Sequence, residues 1–286
     1  MPQPPDMIDR VDAIAAPYAL ILCDVWGVVH NGVTAFPEAV AALRRMREAG
    51  KAVVLVTNAP RPHKPVEAQL RQLGVPDDAW DRVVTSGDVT RDLISEAPRR
   101  LFHIGPDRDM TLYDGLDVEL VEEFEAAGAV CTGLYDDETE TPEDYAELLQ
   151  RLRARNLPLI CANPDIVVER GDTLIYCAGA IAREYGLLGG RTLIAGKPHR
   201  PIYEATLAAA AEVLDRKVEP SDTLAIGDGI LTDVKGADGM GMDVLFVTGG
   251  IHAGEYGSDG APDPGSLAAF LEKHGHHPVA AIRHLR

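Results

Sequence analysis

Short apolar runs alternate with helical patterns near the start of the chain, as is typical of a parallel sheet covered by crossover helices. The first run covers residues 18–25 (YALILCDV), and apolar residues at helical spacing follow over residues 37–49. A second buried strand is predicted over residues 51–57 (KAVVLVT), followed by a helix over residues 62–73. The pattern therefore predicts two consecutive strand-helix units of a parallel sheet.

The middle of the chain departs from this rhythm, because its predicted strands are shorter. These strand candidates lie at residues 101–104, 129–134, 158–162 and 173–177. The acidic, turn-rich piece YDDETETPE suits an exposed connection between them. This change of rhythm indicates an inserted domain.

The α/β pattern then resumes, with strand candidates at residues 192–195, 223–226 and 244–247 around a helix predicted over residues 201–214. We therefore predict an α/β fold with a doubly wound parallel-sheet core and a smaller inserted α/β cap domain. The predicted boundaries are 1–87 and 179–286 for the two parts of the core and 88–178 for the cap.

Polar residues directly follow four of the apolar strands. They are Asp24, the pair Thr57 and Asn58, Lys197, and Asp228. Taken singly, each of these residues is of a type that is common in turns. Since ligands of open parallel sheets bind outside the carboxyl ends of the strands, the set together indicates metal-assisted phosphoryl transfer.

The charge balance limits the partners of the chain. Its 286 residues include 27 Lys and Arg against 45 Asp and Glu, a net charge of −18. A field of that sign repels nucleic acid and anionic lipid, so neither is a predicted partner. A small phosphorylated substrate would also be repelled, and its site needs local positive charge from a metal, a lysine or backbone N–H groups.

The cysteines and the N-terminal stretch indicate a cytoplasmic location. Cys23, Cys131, Cys161 and Cys177 lack metal-binding spacing and lie mostly in apolar runs, which predicts free buried thiols in a reducing compartment. The first residues, MPQPPDMIDRVDAIAA, lack the basic start and apolar stretch of a signal peptide, and no 18-residue apolar run occurs.

The strand-terminal Asp24, Thr57, Lys197 and the acidic pair of GDGILTD, Asp228 and Asp233, occur in the order of the four motifs of the haloacid dehalogenase superfamily. The chain resembles that superfamily over nearly its whole length. With GKPHRPIY and the sequence CANPD, it is most similar to the class IIA, NagD-like branch.

The resemblance implies a role for each matching residue. Asp24 would be the nucleophile that forms an aspartyl-phosphate, with Thr57 and Lys197 as catalytic partners. Mg²⁺ would be held by Asp24, the backbone carbonyl of Trp26, Asp228 and Asp233. The implied substrate-binding residues are Asn58, on the phosphoryl oxygens, and Asn163 and Asp165 of the NPD turn, on the rest of a small phosphorylated metabolite.

Position 26 departs from the phosphatases of the superfamily, which carry a second Asp there as general acid and base. Trp26 cannot transfer that proton, and such catalysis is typically worth ~10² to 10⁴ in rate. Candidate replacements are His30, His199 and His252, although a surface or capping role is the simpler interpretation of each. The loop from Gly249 to His252 is a weaker candidate, because paired glycines usually form a turn.

Three hypotheses follow: a Mg²⁺-dependent phosphatase with an unusual acid or specialised for good leaving groups, a metal- and phosphate-binding sensor with little turnover, and a dehalogenase-type reaction at carbon. A dehalogenase needs no metal, so the added carboxylates favour phosphoryl chemistry. The order of preference is phosphatase, sensor, dehalogenase. A homodimer is expected by analogy with NagD-like proteins.

Overall fold

The computed structural model describes residues 4–171, 173–257 and 261–286. Its strands are β1 (Leu20–Asp24), β2 (Ala52–Thr57), β3 (Arg82–Thr85), β4 (Arg100–Ile104), β5 (Glu119–Leu120), β6 (Gly128–Cys131), β7 (Leu159–Cys161), β8 (Val167–Arg170), β9 (Thr173–Tyr176), β10 (Thr192–Ile194), β11 (Thr223–Gly227), β12 (Asp243–Val247) and β13 (Ala280–Ile282). Its α-helices are α1 (Asp12–Ala15), α2 (Pro37–Glu48), α3 (His63–Leu73), α4 (Ser86–Ser95), α5 (Ala146–Ala154), α6 (Ala178–Leu187), α7 (Arg200–Leu214), α8 (Lys235–Met240), α9 (Ala253–Tyr256) and α10 (Pro264–His274).

The described chain divides into two compact units. The first unit comprises Met1–Thr57, Glu67–Val84 and Tyr203–Arg286, and the second comprises Asn58–Val66 and Thr85–Ile202. Each unit is built around its own sheet.

The first unit contains a six-stranded sheet in the order β13-β12-β11-β1-β2-β3. In this spatial order, each neighbouring pair of strands between β13 and β2 is parallel. The chain runs outward from β1 to β3 and then continues on the other side of β1 with β11, β12 and β13, which makes the sheet doubly wound. The predicted fold class is confirmed. Such a reversal, here between β1 and β11, is where ligands bind in open α/β sheets.

The helices of the first unit follow from the apolar spacing that the sequence shows. In α2, Val40, Leu43 and Met46 are buried, and they lie three residues apart on one face of the helix. Pro37 occupies the first turn, where its missing N–H costs no helical hydrogen bond. Burial of each large side chain contributes roughly 1.5–3 kcal/mol.

The second unit contains a five-stranded parallel sheet in the order β10-β7-β6-β4-β5, and β8 and β9 form a separate antiparallel hairpin. Successive residues of its strands belong to different buried clusters: Ala129 and Cys131 pack with α5 and α6, whereas Val130 packs with α4. This alternation is the two-residue period of a strand that is covered on both faces.

The structure differs from the predicted boundaries, because residues 58–66 and 85–87 belong to the second unit and not to the core. The same holds for the segment 179–202, which the prediction places in the second part of the core. Its strand β10 pairs with β7, with Thr192 opposite Leu159, so this segment lies within the second unit. The reason is that strand and helix alternate in the same way in both sheets, and periodicity does not show which sheet a strand joins. Strands β3, β5, β8 and β13, of two to four residues, have no counterpart among the predicted strands.

The predicted state of the cysteines is confirmed. All four are free and buried. Burial raises the pKa of the Cys161 thiol to about 12, which keeps it protonated and unreactive. Among the helices of the described residues, none combines the length and apolar character needed to cross a membrane.

Candidate active site

Three carboxylates converge in the first unit. Asp24 ends β1, Asp228 directly follows β11, and Asp233 lies in the π-helical turn Ile230–Val234. Each is at most 6% exposed, and one oxygen of each lies within 4.8 Å of the others. Buried like charges at this spacing repel one another, so the cluster calls for a cation or a shared proton.

The Asp233 side chain folds back onto the backbone of the residues that precede it, and this backbone holds it in place. The Gly229 N–H donates to its Oδ2 at 3.1 Å. A Cβ atom on Gly227 would lie 2.3 Å from the Asp233 carboxyl carbon, so only glycine at that position lets the side chain lie against the end of β11. The glycines of the GDG run therefore have a packing role beside the carboxylates.

Asp228 is held by a loop that sequence reasoning had ranked as a weak candidate. The Ile251 N–H, which follows Gly249 and Gly250, donates to Asp228 Oδ2 at 2.8 Å. The available signal was the position of the glycine pair, just after β12, the strand that lies beside β11. A glycine pair at a sheet's carboxyl edge permits close approach of backbone to a neighbouring side chain.

Trp26 is half-buried and packed into a tight turn. The Gly27 N–H donates to the His30 carbonyl at 2.8 Å, and the Trp26 and His30 rings meet edge to face with centroids 5.0 Å apart. Gly32, at φ +82°, lies so close that a Cβ there would be 2.5 Å from Trp26 Cζ2. The indole is therefore a fixed part of this turn.

His30 is poorly suited to replace the missing proton-transfer group. Its Nδ1 accepts a hydrogen bond from the Gly32 N–H at 2.9 Å, which assigns the ring proton to Nε2. Burial lowers the pKa of His30 to about 4, so the ring is neutral at pH 7. Of the other candidates, His252 Nδ1 lies 2.8 Å from Glu255 Oε1, and His199 is exposed in the second unit.

Thr57 ends β2 and is buried. In the register of β1 and β2, Asp24 lies opposite Val56, so Thr57 occupies the same carboxyl edge one residue further on. The first unit therefore holds four residues of the predicted site. Asp24, Thr57 and Asp228 lie at the carboxyl ends of adjacent strands, and Asp233 lies in the turn that follows β11.

The other predicted site residues form a network within the second unit. Asn58 Oδ1 accepts the Lys197 N–H at 2.8 Å, and Asn58 Nδ2 donates to Asp165 Oδ1 at 2.8 Å and to the Lys197 carbonyl at 3.2 Å. Asn163 Oδ1 accepts the Asp165 N–H at 3.1 Å. Gly196 permits this packing, because a Cβ there would lie 2.8 Å from Asn58 Oδ1.

This network gives Asn58 a contact set that the sequence did not suggest. Its side-chain amide, expected on phosphoryl oxygens, binds both backbone groups of Lys197 and is 2% exposed. The phosphoryl role of Asn58 stays a prediction, as do the substrate roles of Asn163 and Asp165. The structure adds that Asn58 fixes the backbone that carries the Lys197 ammonium.

Comparison with family models gives two matches. Residues 21–119 match a haloacid dehalogenase-like hydrolase model, and residues 194–270 match a HAD-hydrolase-like model. The first range includes Asp24, Thr57 and Asn58. The second range includes Lys197, Asp228 and Asp233, whereas Asn163 and Asp165 lie between the two.

Solved structures with the same architecture include three that bear on this chain. A haloacid dehalogenase-like family hydrolase from Brucella suis is 62% identical, with a TM-score of 0.89 over 98% of this chain and 100% of that one. A glycerol phosphate phosphatase from Mycobacterium tuberculosis, in complex with magnesium, is 25% identical with a TM-score of 0.64, over 94% of this chain and 79% of that one. NagD from E. coli is 19% identical with a TM-score of 0.65, over 93% and 96%, and shares the fold.

Proposed function

Since the chain belongs to the haloacid dehalogenase-like hydrolase family, we propose that it is a Mg²⁺-dependent phosphatase of a small phosphorylated metabolite. The observation that carries the proposal is the convergence of Asp24, Asp228 and Asp233. A dehalogenase-type reaction at carbon gains nothing from two further carboxylates beside its nucleophile, because they repel both the Asp24 carboxylate and the departing halide ion. The phosphatase from Mycobacterium tuberculosis, whose structure contains magnesium, supports the same choice.

The donor set fits Mg²⁺. Hard cations of this size take oxygen ligands, and the cluster offers buried carboxylate oxygens within 4.8 Å of one another. Asp24, Asp228 and Asp233 would hold the ion, together with the backbone carbonyl of Trp26. When bound, Mg²⁺ supplies positive charge that offsets the carboxylates and the phosphoryl group.

In the proposed reaction, the Asp24 carboxylate attacks phosphorus and displaces the leaving oxygen, which gives an aspartyl-phosphate. Water then attacks this intermediate, releases inorganic phosphate and restores Asp24. Thr57, at the same edge of the sheet, donates a hydrogen bond from its O–H to a phosphoryl oxygen.

The proposed roles in the second unit rest on the family resemblance. Lys197 offsets the negative charge of the transferring group, and Asn58 donates to phosphoryl oxygens in addition to holding the Lys197 backbone. Asn163 and Asp165 contact the part of the substrate that is not phosphate. A dimer and a cytoplasmic location stay predictions.

Trp26 restricts the leaving group. An indole in place of a carboxyl neither protonates the leaving oxygen nor activates water, and Nδ1 of the adjacent His30 is already occupied by the Gly32 N–H. We therefore propose that the substrates are phosphates whose leaving groups depart without protonation, such as aryl or acyl phosphates. Alkyl phosphates, which need a proton on departure, are expected to be poor substrates.

The test is steady-state hydrolysis of aryl phosphates with a range of leaving-group pKa, together with an alkyl and an acyl phosphate, in Mg²⁺ or in EDTA. Wild type is expected to require Mg²⁺ and to slow steeply as the leaving-group pKa rises. Asp24→Asn should lose at least ~10³-fold in kcat because it removes the nucleophile. Trp26→Asp should gain ~10²-fold on the alkyl phosphate.

Trp26→Phe is the matched control, because it keeps an aromatic ring and adds no acid. It should leave the alkyl phosphate as poor a substrate as in wild type. If wild type hydrolyses no phosphate yet binds Mg²⁺ and inorganic phosphate, the phosphatase proposal fails and the chain is a sensor. Turnover that persists in EDTA would contradict the metal requirement.

A further inference from the structure

One oxygen of Asp228 is enclosed by backbone. Its Oδ2 accepts the Ile251 N–H at 2.8 Å. A Cβ atom on Gly250 would lie 1.9 Å from this oxygen, and one on Gly27, at φ +81°, would lie 2.4 Å from it. Gly27, Gly250 and the Ile251 N–H thus form a collar around Oδ2 that any larger side chain would disrupt.

Asp233 is restrained in a similar way. Its Oδ2 accepts the Gly229 N–H at 3.1 Å, and a Cβ on Gly229 would lie 3.0 Å from that oxygen. Two of the three clustered carboxylates are therefore each tied to the backbone through one oxygen. The residues that tie them come from three separate loops, after β1, β11 and β12.

We propose that the collar determines which cation the site accepts, because the Ile251 N–H and the glycine backbone around Oδ2 make that oxygen the poorer metal ligand of Asp228, and the Gly229 N–H acts likewise on Oδ2 of Asp233. Mg²⁺ takes an octahedral shell of six oxygens at short distance and is satisfied by carboxylates that each give one oxygen. Ca²⁺ takes six to eight ligands and often binds carboxylates through both oxygens. Gly250 and Ile251 are thereby positioning residues that favour Mg²⁺ over Ca²⁺.

This inference rests on the proposed metal site, and the two are tested separately by isothermal titration of the full chain with Mg²⁺ and with Ca²⁺. Wild type should bind Mg²⁺ more tightly than Ca²⁺. In Gly250→Ala, the added methyl group displaces the carboxylate from the collar. The ratio of the Ca²⁺ Kd to the Mg²⁺ Kd should fall by at least ~10-fold, the usual size of an effect from groups that orient metal ligands.

Gly254→Ala is the matched control four residues further on, in α9, because a Cβ there meets nothing within 4 Å. It should keep the wild-type ratio. If Gly250→Ala does not fold, Gly229→Ala tests the same idea at Asp233, with Gly239→Ala as its control, since a Cβ on Gly239 also meets nothing within 4 Å.

The outcomes separate the two proposals. A wild-type ratio in Gly250→Ala, or in Gly229→Ala where Gly250→Ala does not fold, would overturn the selectivity role of the collar, as would equal affinity of wild type for the two ions. Asp228→Asn should lose Mg²⁺ binding. If it binds Mg²⁺ as tightly as wild type, the metal site of the proposed function is itself wrong, whatever the glycine variants do.

Discussion

Two groups of buried polar residues differ in how their charge is balanced. In the first unit, Asp24, Asp228 and Asp233 place three negative groups within 4.8 Å of one another. In the second unit, Asn58 lies between Asp165 and the Lys197 backbone, and its amide makes hydrogen bonds of 2.8 to 3.2 Å to both. The first group gathers like charges that a bound cation would offset, whereas the second contains matched donors and acceptors.

The contrast indicates that the two groups have different roles. A cluster of like charges stores an unfavourable interaction that a bound cation relieves, so it belongs to binding and catalysis. A matched network keeps its members in place, because loss of one partner leaves another buried group without its hydrogen bond. The two groups should therefore respond in opposite directions when one charge is changed.

The largest expected effect on stability is in the matched network. Asn58→Asp keeps an acceptor for the Lys197 N–H but removes both N–H donors and puts a negative charge beside Asp165. We expect the free energy of unfolding to fall by roughly 3 kcal/mol, because the buried Lys197 carbonyl and the half-buried Asp165 carboxylate each lose a hydrogen bond. Urea denaturation measures it. Asn156→Asp, at an exposed turn residue, is the control and should change stability by less than about 0.5 kcal/mol.

A smaller effect of opposite sign is expected in the carboxylate cluster. Without metal, Asp228→Asn removes one of three like charges while its amide oxygen still accepts the Ile251 N–H. The free energy of unfolding in EDTA should rise by on the order of 1 kcal/mol, because two of the three pairwise repulsions between carboxylates are removed. Thermal unfolding in EDTA and in Mg²⁺ provides the measurement.

Addition of Mg²⁺ should make wild type more stable than Asp228→Asn, the reverse of the order expected in EDTA. Wild type gains about 2.7 kcal/mol at a metal concentration of 100 times Kd, while Asp228→Asn gains little. The exposed Asp238→Asn should behave as wild type in both buffers. A loss of stability in Asp228→Asn in EDTA would mean that the cluster is balanced without a cation, and the contrast between the two regions would not hold.

Sequence alone predicted the residues whose signal is local. Asp24 and Asp228 each end an apolar run, and the carboxyl ends of adjacent parallel strands meet at one edge, so their convergence followed from pattern and topology. The doubly wound core was predictable for the same reason. The assignment of β10 was not, because its sheet depends on pairing with β7, which lies over thirty residues earlier in the chain.

Hydrogen bonds from backbone N–H groups to side chains distant along the chain could also not be predicted from the sequence. The Ile251 N–H on Asp228 joins positions 23 residues apart, and nothing in the letters GGI distinguishes a turn from a metal-site collar. His30 was a candidate for proton transfer on its pKa as a free residue. Its burial, and the hydrogen bond from Gly32 that occupies Nδ1, arise only from the folded turn.

The most direct test of the central claim is to trap phosphorylated Asp24. The full chain is mixed with p-nitrophenyl phosphate and Mg²⁺, quenched in acid, reduced with borohydride and analysed by peptide mass spectrometry, with Asp24→Asn as control. The account predicts conversion of position 24 alone to homoserine in wild type, in Mg²⁺ but not in EDTA, and no conversion in the variant. Turnover with no modification at Asp24, or modification at another carboxylate, would contradict it.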